Sequence, residues 1–358
     1  MALLEVDDLR VSFATQDGVV SAVRGVSFTV EEGQTLGIVG ESGSGKSVAT
    51  QTIVGLTRGA QVSGSARFEG RDLLEASPAE LRSVRGAKIA MIFQDPLSSL
   101  HPQHKVGWQI AEMIRLHEKV SRGQARARTV DLLGLVGIPE PGRRVDDYPH
   151  QFSGGMRQRA MIAMALALNP RLLIADEPTT ALDVTVQAQI LQLIKRVQAE
   201  FGTAVILITH DLGVIARVAD RVTVMYAGKA MEYADKRTLY HEPHHPYTEG
   251  LTGSLPQQGT RETRLRPIPG QPPSLLRVPG GCPFHPRCGY CMPRCATTEP
   301  PVQAVSGGAG HLSACWLPPG LIGTGDAISG RRREAAAREI ALAAGAAESP
   351  ARTDAATS

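Results

Sequence analysis

The sequence has no long uninterrupted apolar segment and no basic stretch at its N-terminus. The longest uncharged apolar run, residues 160–168, ends at Asn169-Pro170, far short of the roughly 20 residues that a membrane-spanning helix needs. Residues 1–8 carry acids where a secretory signal carries basic residues, and no small-residue cleavage site follows. We therefore expect a cytosolic chain whose role at any membrane depends on partner subunits.

A strong charge of one sign is also absent. The 358 residues have a formal net charge of +3, which gives no general case for nucleic-acid binding, and no nucleic-acid partner is expected. The chain is 42% hydrophobic and 20% charged. This composition is typical of a globular protein with a large core, built as one large domain with appendages or as two domains.

Cysteine is missing from the first 281 residues. All five cysteines lie in the last quarter, at Cys282, Cys288, Cys291, Cys295 and Cys315. In a reducing compartment, such a cluster favours metal ligation over disulfides.

The apolar pattern alternates between strand-like and helical segments. The strand-like segments are 3–13, 19–30, 35–39, 172–175, 204–209 and 221–226. Helical periodicity starts at Lys46 and recurs in 109–119, 122–136 and 184–200. This alternation predicts an α/β fold with a mostly parallel sheet and helices packed around it, with a mainly helical middle at about 96–166.

The segment 40–47 matches the phosphate-binding P-loop pattern, with a predicted strand before it and a predicted helix after it. Its glycines let backbone N–H groups point at phosphate oxygens beside a helix N-terminus. We expect Lys46 to reach the β- and γ-phosphates of ATP and Ser47 to bind Mg²⁺. The alternative is a Gly/Ser-rich turn that happens to precede a lysine. The candidate ATP-binding residues here are Gly40, Ser42, Gly43, Gly45, Lys46 and Ser47.

Two acids end the apolar segment 172–175. Asp176 is predicted to hold Mg²⁺ through water, and Glu177 to act as the general base on the attacking water. Alone, such a pair is more often a strand end with solvated charges; beside a P-loop it favours an ATPase. His210 follows the next predicted strand and is placed to reach the γ-phosphate, although an isolated histidine there is more often structural.

In this order, the motifs resemble those of the ABC ATPases over about residues 3–235. Gln94 matches the Q-loop, residues 152–159 match the signature motif with phenylalanine at the usual leucine, residues 181–183 match the D-loop, and His210 matches the switch histidine. The resemblance implies a RecA-like P-loop NTPase fold with an N-terminal antiparallel β subdomain and an inserted helical subdomain. It also implies that Gln94 contacts Mg²⁺ and the catalytic water. The further ATP-contacting residues it implies are Phe13 (stacked on adenine), Ser153, Gly154, Gly155 and Asp183.

The signature residues 153–155 precede a predicted helix at 159–168, so their N–H groups form a second anion site. Read alone, the Ser-Gly-Gly sequence could be an ordinary N-cap. In the family, two subunits pack head to tail, and the P-loop of one and the signature of the other enclose each ATP. The resemblance therefore implies a second ATPase subunit.

After residue 235 the chain resembles one branch of that family, the ATPases of oligopeptide and dipeptide importers. The matching segments are 240–248, which contains His245-Pro246-Tyr247, 268–273, and the cysteine stretch closed by Cys315-Trp316. The resemblance implies peptide import with two transmembrane permease subunits, an extracytoplasmic binding protein and a different partner ATPase, at the cytoplasmic face of the membrane. The alternatives are nickel or another small solute, and a non-transport ABC ATPase.

In that branch four cysteines recur, and the matching positions here are Cys282, Cys288, Cys295 and Cys315. The resemblance implies a [4Fe–4S] cluster, with zinc or free thiols as alternatives. Cys291 is interpreted as an extra residue. The predicted domains are an ABC ATPase domain at 1–235, a C-terminal module with the cysteines at 236–319, and a disordered tail at 320–358.

Overall fold

A computed structural model describes residues 2–95, 99–180, 183–254, 267–305 and 310–322. Its first sheet is antiparallel and has the strand order β2-β1-β4-β5. The bounds are β1 Ala2–Thr15, β2 Gly18–Glu31, β4 Gln61–Phe68 and β5 Arg71–Asp72. Alternate residues of β1 and β2 are buried, as expected for strands with one face on the core. This sheet confirms the predicted N-terminal antiparallel part.

The second sheet has eight strands in the order β11-β12-β10-β9-β3-β8-β7-β6. From β9 to β6 the neighbouring strands are parallel. The strands β10 (Lys229–Asp235), β12 (Leu312–Ser313) and β11 (Gln303–Ala304) add on antiparallel. The five parallel strands are β3 Thr35–Val39, β6 Ile89–Ile92, β7 Leu172–Asp176, β8 Ala204–Thr209 and β9 Arg221–Tyr226. The residues of β3, β7 and β8 are buried at every position, which explains why these strands appear in the sequence as continuous apolar runs.

Helices cover both sides of this sheet. The helices that precede β7 are α1 Lys46–Ile53, α2 Pro78–Val84, α3 Val106–His117, α4 Arg122–Leu135, α5 Pro141–Arg144 and α6 Gly154–Ala165. Two more, α7 Val184–Phe201 and α8 Leu212–Val218, follow β7 and β8. The prediction that the signature helix starts at 159 was wrong. Ser153 accepts a hydrogen bond from the N–H of Met156 and starts α6 at Gly154.

The chain after β10 (Lys229–Asp235) packs back onto the sheet. It forms α9 Lys236–His241, α10 Pro246–Thr252, α11 Pro293–Thr297, β11 Gln303–Ala304 and β12 Leu312–Ser313. Since β12 pairs with β10 and β11 pairs with β12, this C-terminal segment completes one edge of the central sheet. The predicted disorder after residue 322 lies outside the described residues, as do Pro96, Ala181 and Leu182.

One buried carboxylate joins β10 to the C-terminal segment. Glu232 is 1% exposed, and its oxygens accept hydrogen bonds from the backbone N–H groups of His244 (2.6 Å) and His245 (3.0 Å). His311 Nε2 lies 2.6 Å from the same carboxylate. Both carboxylate oxygens are thereby satisfied by residues that follow β10, as a buried charge requires.

Candidate active site

The loop between β3 and α1 folds as the P-loop pattern predicts. Gly40 has φ 153°, and a Cβ at this position would lie 2.1 Å from the carbonyl oxygen of Met225. Gly45 has φ 95°, and its Cβ would lie 2.3 Å from the carbonyl oxygen of Ala22. Only glycine fits at these two positions, because side chains are excluded by neighbouring backbone. The loop is therefore wedged between β2 and the end of β9.

Lys46 is the first residue of α1 and is 5% exposed. Its Nζ donates to the carbonyl oxygens of Gly40 (2.7 Å) and Glu41 (2.9 Å) and to Ser44 Oγ (3.3 Å). Burial lowers its pKa, and the nearby charges of Glu177, Asp176 and Glu41 oppose this change. The ammonium group is thus held inside the loop, close to the two acids that end β7.

Asp176 and Ser47 form the adjacent contact. Ser47 Oγ donates to Asp176 Oδ1 at 2.8 Å, and Asp176 is 2% exposed. Burial raises the pKa of Asp176, and the neighbouring charge of Glu177 adds to this change, while the Ser47 hydrogen bond and the Lys46 charge oppose it. A hydroxyl and a carboxylate are the hard oxygen ligands that Mg²⁺ prefers. These residues therefore fit a magnesium ion held beside the P-loop.

Glu177 is the centre of a polar cluster at the end of β7. Its Oε2 accepts hydrogen bonds from Gln94 Nε2 (3.1 Å) and Thr180 Oγ1 (2.8 Å), and His210 Nδ1 lies 3.6 Å away. The backbone of Glu177 has φ 46°, a left-handed conformation that costs free energy in a residue other than glycine. The structure thus brings Gln94, Glu177 and His210 together, and their roles in hydrolysis stay predictions.

The signature and D-loop residues lie at the N-termini of α6 and α7 and make no contact with the Glu177 cluster among the hydrogen bonds of the described residues. Ser153 and Asp183 are N-caps of α6 and α7, and Ser153, Gly154 and Asp183 are exposed. No hydrogen bond found among the described residues joins them to Lys46 or Glu177. Their roles at ATP stay predictions, as does adenine stacking by Phe13, which lies partly buried on β1.

Two families match the sequence. The ABC transporter family matches residues 23–180, and the oligopeptide/dipeptide transporter C-terminal region matches residues 231–295. The oligopeptide transport ATP-binding protein OppD of Salmonella typhimurium is 52% identical over 318 residues, which are 88% of this chain and 94% of that protein. The dipeptide transport ATP-binding protein DppD of Bacillus subtilis is 52% identical with the same coverage.

The chain belongs to the ABC transporter ATP-binding proteins. It is accordingly an ABC ATPase, which binds and hydrolyses ATP. A solved ATP-binding cassette, a dimer in a post-hydrolysis state bound to ADP and Pi, superimposes with a TM-score of 0.60 at 28% identity. The superposition includes 65% of this chain and 99% of the solved chain. No helix among the described residues is long and apolar enough to cross a membrane.

The cysteines of this ABC ATPase form a second cluster. Four of them, with Trp316, line one cavity, and the four are Cys282, Cys288, Cys295 and Cys315. Burial raises the pKa of Cys282 to about 11 and those of Cys288 and Cys315 to about 12. Cys291 is exposed and does not line this cavity. Within the described part of the chain, however, no three or more His, Cys, Asp or Glu side chains have the arrangement of a metal site.

Sequence reasoning missed some contacts of the ABC ATPase site. Thr180 shares the carboxylate oxygen of Glu177 with Gln94, and its only sequence signal is its position three residues after that acid. Tyr247 and Arg287 both bind Glu41, a P-loop residue for which the sequence predicts no role. No sequence pattern links these residues, since Arg287 is 246 positions from Glu41.

Proposed function

We propose that this ABC ATPase drives the import of oligopeptides or dipeptides. The observation that carries the proposal is the joint match to the cassette and to the oligopeptide/dipeptide transporter C-terminal region. Relatives named for oligopeptide and dipeptide transport are about equally similar, both at 52% identity. We therefore propose peptides as the substrate class without choosing a peptide length.

The proposed reaction uses the Glu177 cluster. Glu177 takes a proton from the attacking water while Gln94 and His210 hold the water and the γ-phosphate in line. Lys46 turns from its loop carbonyls toward the phosphate oxygens, where its charge offsets the charge that develops. Ser47 and Asp176 hold Mg²⁺, which when bound neutralises phosphate charge. Support for this assignment is the hydrogen bonding that already joins Gln94 and Ser47 to the two acids.

We further propose a second, different ATPase subunit as partner. The exposed N-terminus of α6, with Ser153 and Gly154, is available to the ATP bound at the P-loop of that subunit. Two permease subunits and an extracytoplasmic binding protein complete the importer, with the ATPase peripheral to the cytoplasmic face of the membrane. The proposed domains stay 1–235 and 236–319, followed by a tail at 320–358.

The cysteine cavity is proposed as the site of a [4Fe–4S] cluster. In support, four thiols from separate chain positions line one mainly apolar cavity, and thiolate ligation matches the chemistry of both iron–sulfur clusters and zinc. Burial raises the pKa of Cys282, Cys288 and Cys315, which disfavours the thiolates of these three residues unless a cation is bound. The residues that would hold the cluster are Cys282, Cys288, Cys295 and Cys315.

Anaerobic purification with analysis of iron, acid-labile sulfide and zinc tests this second site. We expect iron and sulfide in equal amounts, lost in Cys295→Ser and retained in the control Cys291→Ser. Stoichiometric zinc without iron would assign the cavity to zinc. A protein free of both metals after anaerobic purification would leave four free thiols and refute the metal site.

Uptake of labelled dipeptides and oligopeptides tests the main proposal, in cells whose only copy of the chain carries Glu177→Gln. Because glutamine keeps the shape of the side chain but cannot accept the proton, uptake should fall by about 10²–10⁴-fold. The matched control is Glu200→Gln, an exposed residue of α7, which should transport normally. Intact peptide uptake together with loss of nickel uptake in the Glu177 variant would assign the ATPase to nickel instead.

A further inference from the structure

A buried arginine of the C-terminal segment binds the P-loop directly. Arg287 lies on a short 3₁₀ helix, His285–Arg287, and its side chain is 5% exposed. Its Nη1 and Nη2 donate to the two carboxylate oxygens of Glu41 at 2.5 and 2.9 Å. Such a two-point contact fixes orientation as well as distance. Hydrogen bonding to Glu41 raises the pKa of Arg287 further, so the guanidinium stays charged.

The same guanidinium is anchored on its other side. Its Nε donates to the carbonyl oxygen of Pro269 (2.8 Å), and Nη1 also reaches the hydroxyl of Tyr226 (3.2 Å). Arg287 therefore connects the C-terminal backbone, the end of β9 and the P-loop through one rigid group. A mobile surface pair would not satisfy so many donors at once.

Tyr247 holds the backbone of the same loop residue. The N–H of Glu41 donates to the Tyr247 hydroxyl at 2.9 Å, and this tyrosine is fully buried. Its ring packs against those of Tyr226 and Phe284, with centroids 4.7 and 5.2 Å away. Glu41 is thus fixed at both its main chain and its side chain by residues beyond β10.

Glu41 in turn touches the catalytic lysine. Its carbonyl oxygen accepts from Lys46 Nζ (2.9 Å) and from the N–H of Ser44 (3.2 Å). A shift of Glu41 would move the carbonyl that holds the lysine and the N–H groups that follow it. Phosphate binding depends on the direction of these groups.

A second contact from the C-terminal segment supports the other side of the loop. Glu299 pairs with Arg24 (3.2 Å) and Lys229 (2.9 Å). The N–H of Arg24 donates to the carbonyl of Gly228, whose own N–H donates to the carbonyl of Ser44. The P-loop is therefore linked to the C-terminal segment at Glu41 and, through this relay, at Ser44.

We propose that Arg287 is a positioning residue for ATP binding, which holds the P-loop through Glu41 in the conformation that receives the phosphates. Tight ATP binding then requires the C-terminal segment to be docked, which gives this segment a role in nucleotide binding. The inference rests on the proposed function of Lys46 at the phosphates.

The test measures equilibrium ATP affinity and steady-state ATPase activity of the full chain, well below its unfolding temperature. In Arg287→Gln we expect the Kd for ATP to rise about 10-fold, equivalent to about 1.4 kcal/mol. At saturating ATP, kcat should change by less than about 3-fold, because bound phosphates re-order the loop. Arg287→Lys should weaken binding too, since it keeps the charge but loses the two-point contact. If Arg287 acts through Glu41, the double variant with Glu41→Gln should bind ATP no more weakly than Arg287→Gln alone.

The matched control is Arg128→Gln. Arg128 also contacts both oxygens of a partly buried glutamate, Glu118 (2.8 and 2.7 Å), and a distant carbonyl, that of Ala167, but in the helical region. It should lower the unfolding midpoint and leave the Kd for ATP unchanged. An equal loss of affinity in this control, or an unchanged Kd in Arg287→Gln, would overturn the proposal.

Two further variants keep the result interpretable. Tyr247→Phe removes only the hydroxyl that accepts a hydrogen bond from the Glu41 N–H and keeps the aromatic packing. It replaces Arg287→Gln if that variant does not fold. We expect the Kd for ATP to rise about 3-fold, and an unchanged Kd would contradict the proposal. Lys46→Ala separates the two hypotheses. Unchanged affinity there refutes the P-loop assignment itself, whereas lost affinity there with normal binding in Arg287→Gln refutes the positioning role alone.

Discussion

Replacing His311 by leucine should weaken the attachment of the C-terminal segment to the edge of the sheet and lower the free energy of unfolding. His311 supplies the side-chain partner of Glu232, a buried carboxylate. In His311→Leu, each Glu232 oxygen keeps one backbone donor, from His244 or His245. The Glu232 carboxylate thus loses one of its three hydrogen-bond partners and keeps the other two. The cost should therefore be near that of one hydrogen bond to a charged group, about 2 kcal/mol, rather than the ~3–5 kcal/mol for a fully unpaired buried charge.

Urea unfolding followed by circular dichroism measures this loss. The exposed His117 is the control, and His117→Gln should change the free energy of unfolding by less than about 0.5 kcal/mol. Glu232→Gln in the His311→Leu background should cost less than the two single changes added together, because the unpaired charge is gone. A loss below about 0.5 kcal/mol in His311→Leu would refute the reasoning that the buried carboxylate depends on this partner.

The other predictions concern pH, the P-loop and the signature helix. Burial lowers the pKa of His245 to about 4, whereas in the unfolded chain this pKa is about 6.5, so between these two pH values only the unfolded chain takes up a proton. The free energy of unfolding should therefore fall by about 2 kcal/mol between pH 6.5 and 5. Urea titration at each pH measures this fall, which should be less steep in His245→Asn. Gly40→Ala should abolish nucleotide binding in a fluorescent-nucleotide assay, because its Cβ would overlap the carbonyl of Met225, whereas Gly142→Ala, with open space around its Cβ, should bind normally. Ser153→Ala should lower the unfolding free energy by about 1 kcal/mol through loss of the α6 N-cap; an unchanged melting curve would contradict that capping role.

The sequence was sufficient to predict four of the five parallel strands, and it missed β6. The strands β3, β7 and β8 are buried at every position, so their side chains had to form continuous apolar runs. Parallel strands also end at one edge of their sheet, which places Asp176 and His210 near the P-loop. These features follow from local pattern and topology together.

Other features depend on contacts that no local pattern records. The strands β11 and β12 have two residues each, too short for a periodicity, and they exist because β10 offers an edge to pair with. The start of α6 was placed too late because glycines at 154 and 155 disfavour helix by intrinsic propensity, while the Ser153 cap and tertiary packing override it. Arg287 and Glu41 meet only because the C-terminal segment returns to the P-loop.

The left-handed backbone of Glu177 has a consequence for directed evolution of this ATPase. A glutamate at φ 46° is held there by its surroundings, at a cost on the order of 1 kcal/mol or more. Glycine adopts this conformation freely, so a library selected only for thermal resistance should enrich glycine at 177. The enriched proteins would keep the fold, including Asp176 beside Ser47, and would have lost the proposed general base. A thermostability campaign on this chain therefore needs an activity screen in the same round.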